Sequence, residues 1–238
     1  NQAVAAARLD ASTAFVGGVG RDTLGDRAKQ LFADEGIQAH LLEVDGPTGT
    51  ASIQIDDSGQ NRIIVDLGAN LRWKPEAIPD GIFADAKVVV CQCEINPDVT
   101  ERAMHFGRKA GAVTILNPAP FSDKFRPEVL RYVDALVLNE AEFSGLLTSL
   151  TSPVDFAVPP EEVAGLSDEE LRHQCWEIPV STIIVTLGAQ GCFLSTADCK
   201  RRFLPDPDIR AIDTVGAGDA FVGSLAKRMS QSFDWPAC

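Results

Sequence analysis

Lys87-Val88-Val89-Val90-Cys91 is the stretch that decides the fold. A strand with one solvated face alternates apolar and polar residues, whereas an unbroken apolar run of this kind belongs in a strand covered on both faces. Short β-rich runs of similar character stand at Thr13–Val16, Val113–Leu116, Ala135–Leu138 and Thr182–Thr186. Helix-length stretches lie between them, at Thr23–Glu35, Asp98–Lys109, Glu128–Tyr132, Glu140–Leu147 and Ser167–Cys175. Strands alternating with helices make parallel sheets with crossover connections, so the expected fold is a doubly wound, mostly parallel α/β sheet flanked by helices. Ligands of such sheets bind beyond the carboxyl ends of the strands.

Two regions break the rhythm. Thr50–Asp56 alternates, with Ala51, Ile53 and Ile55 on one side; Asp57-Ser58-Gly59 turns the chain and Arg62–Val65 returns. This predicts a hairpin with one polar face, a small antiparallel β lid inserted around residues 48–68. Ser149–Gly165, with Pro153, Pro159 and Pro160, reads as a long surface loop. The remainder of residues 1–238 reads as one α/β domain.

Charge narrows the partners. With 21 Lys and Arg against 34 Asp and Glu, the net charge is −13, which repels phosphate backbones and anionic headgroups. Nucleic acid and membrane surfaces are therefore not expected partners, and an anionic ligand must be held by local groups. No apolar run approaches the roughly 20 residues that cross a bilayer. The 6 cysteines contain no Cys-x-x-Cys pair, and His40, His105 and His173 form no cluster with metal-ligand spacing. The thiols read as buried or incidental in a reducing, cytoplasmic compartment.

The chemistry concentrates at Asp213-Thr214-Val215-Gly216-Ala217-Gly218-Asp219-Ala220-Phe221. A Gly-Ala-Gly turn precedes a helix-like run from Asp219 to Arg228. Small residues admit a ligand close to the backbone, and the first N–H groups of a helix have no intrahelical partner. With the helix dipole they form an anion site suited to a phosphoryl group in transfer. Asp219 at that helix start reads either as a base for a hydroxyl attacking phosphorus or as a helix cap. The spacing matches neither a Gly-Lys-Ser/Thr phosphate loop nor a dinucleotide fingerprint, which argues against a dehydrogenase.

Asp213–Phe221 resembles the C-terminal signature of the ribokinase-like (PfkB) sugar kinases. Further segments match the family's motifs in order: Asn1–Leu9, Gly20-Arg21-Asp22-x-x-Gly25, Gly68-Ala69-Asn70, Asn117-Pro118-Ala119-Pro120, Asn139-x-x-Glu142 and Thr186-Leu187-Gly188-Ala189-Gln190-Gly191. Within the family, Asn1–Ala7 and the Asn117–Pro120 box resemble the ribose-phosphorylating branch. The resemblance implies an ATP-dependent kinase for a small sugar. Its acceptor would be D-ribose, with fructose, keto-deoxygluconate or a nucleoside as alternatives. It implies Asp219 as catalytic base and substrate contact, the N–H groups of Gly216, Ala217 and Gly218 as anion hole, and Asn1 and Glu94 on the sugar. Nucleotide contacts would fall on Asn139, Gly218 and the turn Thr186, Leu187, Gly188, Ala189, Gln190 and Gly191. Glu142 would help hold Mg²⁺ through water, and the backbone carbonyls of Asp213 and Val215 an activating K⁺. The family's lid covers the sugar and allows a homodimer.

The resemblance also implies segments before Asn1, including a first strand and a Gly-Gly-Lys-Gly-Ala run, and more chain after Cys238. On this reading the 238 residues are truncated at both ends, with an unpaired edge in the sheet. A truncated chain is expected to be inactive alone, and a non-catalytic binding remnant is the rival function.

Overall fold

The structure, a computed structural model, describes residues 1–55, 61–79, 81–151, 158–206, 208, 211 and 213–231. In chain order these form α1 (Gln2–Arg8), β1 (Ala14–Gly20), α2 (Thr23–Asp34), β2 (Gln38–Val44), β3 (Thr50–Ile55), β4 (Asn61–Asp66) and β5 (Val88–Cys91). Then follow α3 (Pro97–Lys109), β6 (Val113–Leu116), β7 (Ala135–Leu138), α4 (Glu140–Leu150), α5 (Pro160–Val163) and α6 (Asp168–Trp176). The chain continues through β8 (Thr182–Thr186), β9 (Cys192–Thr196), β10 (Lys200–Phe203) and α7 (Ala217–Gln231).

The main sheet has the order β10-β9-β8-β7-β6-β5. Strands β5 to β8 run parallel, while β9 and β10 add antiparallel at one edge. Successive side chains of a strand point to opposite faces, and here each face is covered. Leu136 and Leu138 of β7, with Leu116 of β6, pack against Met104 of α3, Phe143 and Leu147 of α4 and Leu171 of α6. Ala135 and Val137, with Val113, Ile115 and Ile184, meet Val222, Leu225, Ala226 and Met229 of α7. That two-sided burial is why β5 and β7 are continuous apolar runs and β6 and β8 are interrupted only by threonine, and the doubly wound sheet expected from the sequence is present.

Two smaller sheets stand beside it: parallel β1–β2 and antiparallel β3–β4. Asp22 ties the first to the approach of the second. Its carboxylate caps α2 by accepting from the Gly25 N–H at 2.8 Å, and it accepts from the Thr48 N–H at 2.8 Å and the Thr48 hydroxyl at 2.6 Å. Three donors on one carboxylate hold its pKa down to about 2, the Thr48 hydroxyl contributing most. The Gly20–Gly25 motif thus acts here as a clamp below the hairpin.

Several elements differ from expectation. Glu128–Tyr132 lies in a tighter 3₁₀ helix, Pro127–Tyr132, which starts at Pro127 where a missing N–H costs nothing. α7 begins at Ala217 rather than Asp219, because Gly216 at φ 76° turns the chain straight into the helix. The expected loop Ser149–Gly165 contains the end of α4 and the short helix α5, which starts at Pro160 where a missing N–H costs nothing. β1 runs on through Gly17, Gly18 and Gly20, and β2 and β10 were not anticipated. The hairpin has no covered face where its side chains are described: Ala51 and Ile53 are as exposed as Ser52 and Gln54. The turn Asp57-Ser58-Gly59, Asp56, Pro153 and Cys238 lie outside the described residues. No described helix is long and apolar enough to cross a membrane.

Candidate active site

The entry to α7 is built by its own turn. The Asp213 side chain accepts from the Val215 N–H at 2.8 Å, the Ala217 N–H donates to the Thr214 carbonyl at 3.1 Å, and helical bonding starts with the Ala220 N–H on the Gly216 carbonyl. Ala217's N–H is thus taken up within the turn. Among the described residues no acceptor faces the N–H groups of Gly216 and Gly218. These donors, at the positive end of a 15-residue helix, are what an anion needs.

Asp219 sits in the first turn of α7, half-buried. Its carboxylate accepts from side chains rather than from the helix backbone: Asn1 Nδ2 lies 2.9 Å from Oδ2, and Gln2 Nε2 lies 3.0 Å from Oδ1. A capping role would need a backbone N–H at that carboxylate, and none of the described ones supplies it.

The second helix that forms this corner is α1. Gly223, one turn after Asp219, lets α1 lie against α7 at backbone distance. A Cβ on Gly223 would stand 2.5 Å from the Gln2 carbonyl oxygen and 2.7 Å from the Ala5 Cβ. Alanines 3, 5, 6 and 7 keep the facing side of α1 small. Close packing of two helices therefore delivers Asn1 and Gln2 to the carboxylate.

Behind Asp219 the contacts continue into the sheet. Gln2 Nε2 also donates to Asn117 Oδ1 at 3.0 Å, and Gln2 Oε1 accepts from Gln92 Nε2 at 2.6 Å. Asn117, buried at the end of β6, donates to the Val137 carbonyl at 2.9 Å and lies 3.5 Å from Glu142 Oε2. Gln2, Gln92 and Asn117 were not anticipated as members of this site. Gln2 and Asn117 fall within the matched segments Asn1–Leu9 and Asn117–Pro120, which carried no side-chain role for them, and Gln92 had no local signal.

Glu142 is not the solvated helix charge that an isolated Glu would be. It is 8% exposed and closes a capping box: Asn139 Oδ1 accepts from the Glu142 N–H at 2.8 Å, and Glu142 Oε2 accepts from the Asn139 N–H at 2.9 Å. Burial pushes its carboxyl above the ordinary range against those hydrogen bonds, and the Asp219 charge adds to the rise. Glu94, beyond β5, is also raised, first by desolvation among its neighbours and then by Asp219. Asn1, Glu94, Glu142 and Asp219 thus gather at the carboxyl end of the parallel strands. Among the described residues no ion pair to Lys or Arg offsets the Asp219 charge.

The Thr186–Gly191 turn lies next along that edge. Thr186 Oγ1 donates to the Leu138 carbonyl at 3.2 Å, beside Asn139, and the turn closes on itself through the Leu187 N–H to the Gly191 carbonyl at 2.8 Å. Gly188, Ala189 and Gln190 are exposed at its tip. No hydrogen bond joins this turn to Asp219 among the described residues. A surface hollow of about 400 Å³ opens elsewhere, lined by Arg108, Val113, Asp134 and Thr182.

The donor sets bear on metals. No group of three or more described His, Cys, Asp or Glu residues is arranged to hold an ion. A divalent cation here would have to bring most of its own ligands, which suits Mg²⁺ and its water shell. Glu142 spends Oε2 on the cap, leaving Oε1 for such a shell. The carbonyls of Asp213 and Val215 meet no donor among the described residues, as free ligands for a monovalent ion must.

The chain is similar to known proteins along its whole length. The sequence profile of the pfkB family carbohydrate kinases matches residues 1–238. A ribokinase of Mus musculus is 35% identical over 231 residues, 95% of this chain and 68% of that protein. A deoxyribokinase of Salmonella typhi is 33% identical over 240 residues, 98% of this chain and 74% of that protein. The structure of an Arabidopsis thaliana ribokinase complexed with ribose and ATP superposes with a TM-score of 0.82 at 29% identity, covering 100% of this chain and 75% of that one.

Proposed function

Because the chain belongs to the pfkB family of carbohydrate kinases, phosphotransferases with a hydroxyl acceptor, we propose that it moves the γ-phosphoryl group of ATP to the 5-hydroxyl of D-ribose. One observation carries the reading: a carboxylate, Asp219, stands in the first turn of α7 beside the unengaged N–H groups of Gly216 and Gly218. In the transfer, the acceptor hydroxyl gives its proton to Asp219 as its oxygen bonds to the γ-phosphorus. The bond from that phosphorus to the bridging oxygen breaks, and ADP leaves. Negative charge on the transferring oxygens is met by Gly216 and Gly218, with Ala217 joining once its turn contact to Thr214 opens.

Asn1 and Glu94 hold the sugar hydroxyls, and Asn139 and the Thr186–Gly191 turn hold the nucleotide. Glu142 holds the water shell of Mg²⁺, which neutralises phosphate charge when bound. The carbonyls of Asp213 and Val215 would hold K⁺, whose positive charge would help neutralise the transferring phosphoryl group. The β3–β4 hairpin, as a lid insert in a single α/β domain, closes over the sugar and excludes competing water. Exposed Ile53, Ile64 and Val65 on that hairpin support a homodimer through the lids. The place of work is the cytoplasm.

The similarity to a deoxyribokinase favours one second reading, in which 2-deoxy-D-ribose is the better acceptor. The test is initial rates of ADP release by the complete protein with D-ribose, 2-deoxy-D-ribose, D-fructose and adenosine, with ³¹P NMR of the product. The expected result is the highest kcat/KM for ribose, with phosphate on C5. A tenfold preference for another acceptor, or transfer to none, overturns it.

A further inference from the structure

Asp219 is held by neutral amides, and one of them is placed by contacts that reach across the ends of β5, β6 and β7. We propose that Gln2 is a positioning residue for phosphoryl transfer: its side-chain amide fixes the plane of the Asp219 carboxylate and registers it against the Asn117–Glu142 corner. This rests on the kinase reading of Asp219 given above.

The direction of every amide in the chain of contacts follows from its fixed end. The Val137 carbonyl can only accept, so Asn117 turns its Nδ2 toward it at 2.9 Å and its Oδ1 away. That oxygen and Asp219 Oδ1 both need donors, and Gln2 Nε2 meets each at 3.0 Å, spending both of its hydrogens. Gln2 Oε1 is then left to accept, and Gln92 Nε2 supplies the donor at 2.6 Å. Flipping the Gln2 amide would set an oxygen against two acceptors at once. The orientation is fixed by chemistry.

The consequence falls on Asp219. A terminal carboxylate torsion is broad and soft, so one hydrogen bond leaves the group free to swing. With Gln2 on Oδ1 and Asn1 on Oδ2, both oxygens are pinned, and the plane follows the α1–α7 packing. The groups that push on this carboxylate are Glu94 from beyond β5 and Glu142 from α4, both of like charge. The amide hydrogens of Gln2 oppose that push without adding a cation. The same amide reaches, through Asn117, the oxygen of Glu142 that caps α4 beside Asn139. Acceptor side and nucleotide side therefore share one rigid polar link.

The test is a cycle of Gln2→Met with Asp219→Asn in the complete protein, followed by steady-state kinetics and thermal melts. Gln2→Met keeps the length of the side chain and removes its donors. The expected result is a fall in kcat of about tenfold or more, with both KM values within about threefold and Tm unchanged. In the Asp219→Asn background the same change should cost less than about twofold. Gln92→Leu, which removes the donor to Gln2 Oε1 and leaves both of Gln2's own hydrogen bonds in place, should give a smaller fall with the same split. An unchanged kcat in Gln2→Met, while Asp219→Asn is crippled, overturns the proposal and leaves the kinase reading standing. Equal losses in both backgrounds, or a loss that follows Tm, assign Gln2 a structural role only. An Asp219→Asn variant with full activity removes the reading on which the proposal rests.

Discussion

Replacing Gly223 by alanine should pull α1 off the active site. The new Cβ would lie 2.5 Å from the Gln2 carbonyl oxygen, 2.7 Å from the Ala5 Cβ and 3.0 Å from the Ala6 nitrogen. The optimum contact between heavy atoms is about 3.5 Å, so α1 must retreat by roughly 1 Å along its first turn. All three atoms belong to backbone or Cβ positions, so no rotamer change relieves the clash. Overpacking of this kind costs about 1–3 kcal/mol, against which the helix propensity of alanine over glycine returns about 1 kcal/mol. The net change is a loss of up to about 2 kcal/mol, or about 4–8 °C in Tm for a chain of this size. Activity should suffer more. A displacement of about 1 Å in groups that orient a reacting centre costs up to about 10²-fold, and Asn1 and Gln2 move with α1. Urea unfolding and initial rates on the same preparation read both effects. A variant stabilised by about 1 kcal/mol with unchanged kcat would show that α1 does not seat the carboxylate.

Other expectations follow from the same contacts. Asp22, whose carboxyl lies near 2 in the folded chain, should stabilise the fold fully above the unfolded value of about 3.9 and lose that contribution as pH falls through about 2. The wild type should therefore lose Tm more steeply between pH 4 and 2 than Asp22→Asn, and parallel curves would contradict the clamp. Glu142→Ala should lose about 1 kcal/mol by urea titration through its cap. Glu142→Gln, which keeps an acceptor for the Asn139 N–H and removes a charge that burial disfavours, should be at least as stable as wild type at pH 8; a loss as large as alanine's would count against the capping box. Cys91, Cys93 and Cys175, pushed up to about 12 by burial, should resist iodoacetamide at pH 8 in the folded protein and react in urea, as mass spectrometry would show.

What the sequence made legible follows the physics of each element. Val88–Cys91, Val113–Leu116, Ala135–Leu138 and Thr182–Thr186 have the predicted bounds because strands buried on two faces leave β-rich runs with no charged residue and no polar residue but threonine. β2 was silent because Gln38, Ala39 and Glu43 face solvent, and its partner β1 was legible only as far as Val16 because three glycines fill its second half. Asp219 stood out because a Gly-rich turn before a helix has local chemistry. Gln2, Gln92 and Asn117 come from α1, the end of β5 and the end of β6, and nothing in their local spacing brings them together. Glu142 had a readable signature, Asn-x-x-Glu before an apolar run, whose first meaning is a capping box.

Asp219 is the single group without which the proposed transfer has no base. Its substitution by asparagine keeps the shape of the side chain and the N-terminal amides of α7. Turnover of ribose and ATP by Asp219→Asn in the complete protein, measured as ADP release, is predicted to fall about 10²- to 10⁴-fold while the protein melts as wild type does. Turnover within a few-fold of wild type would contradict the assignment.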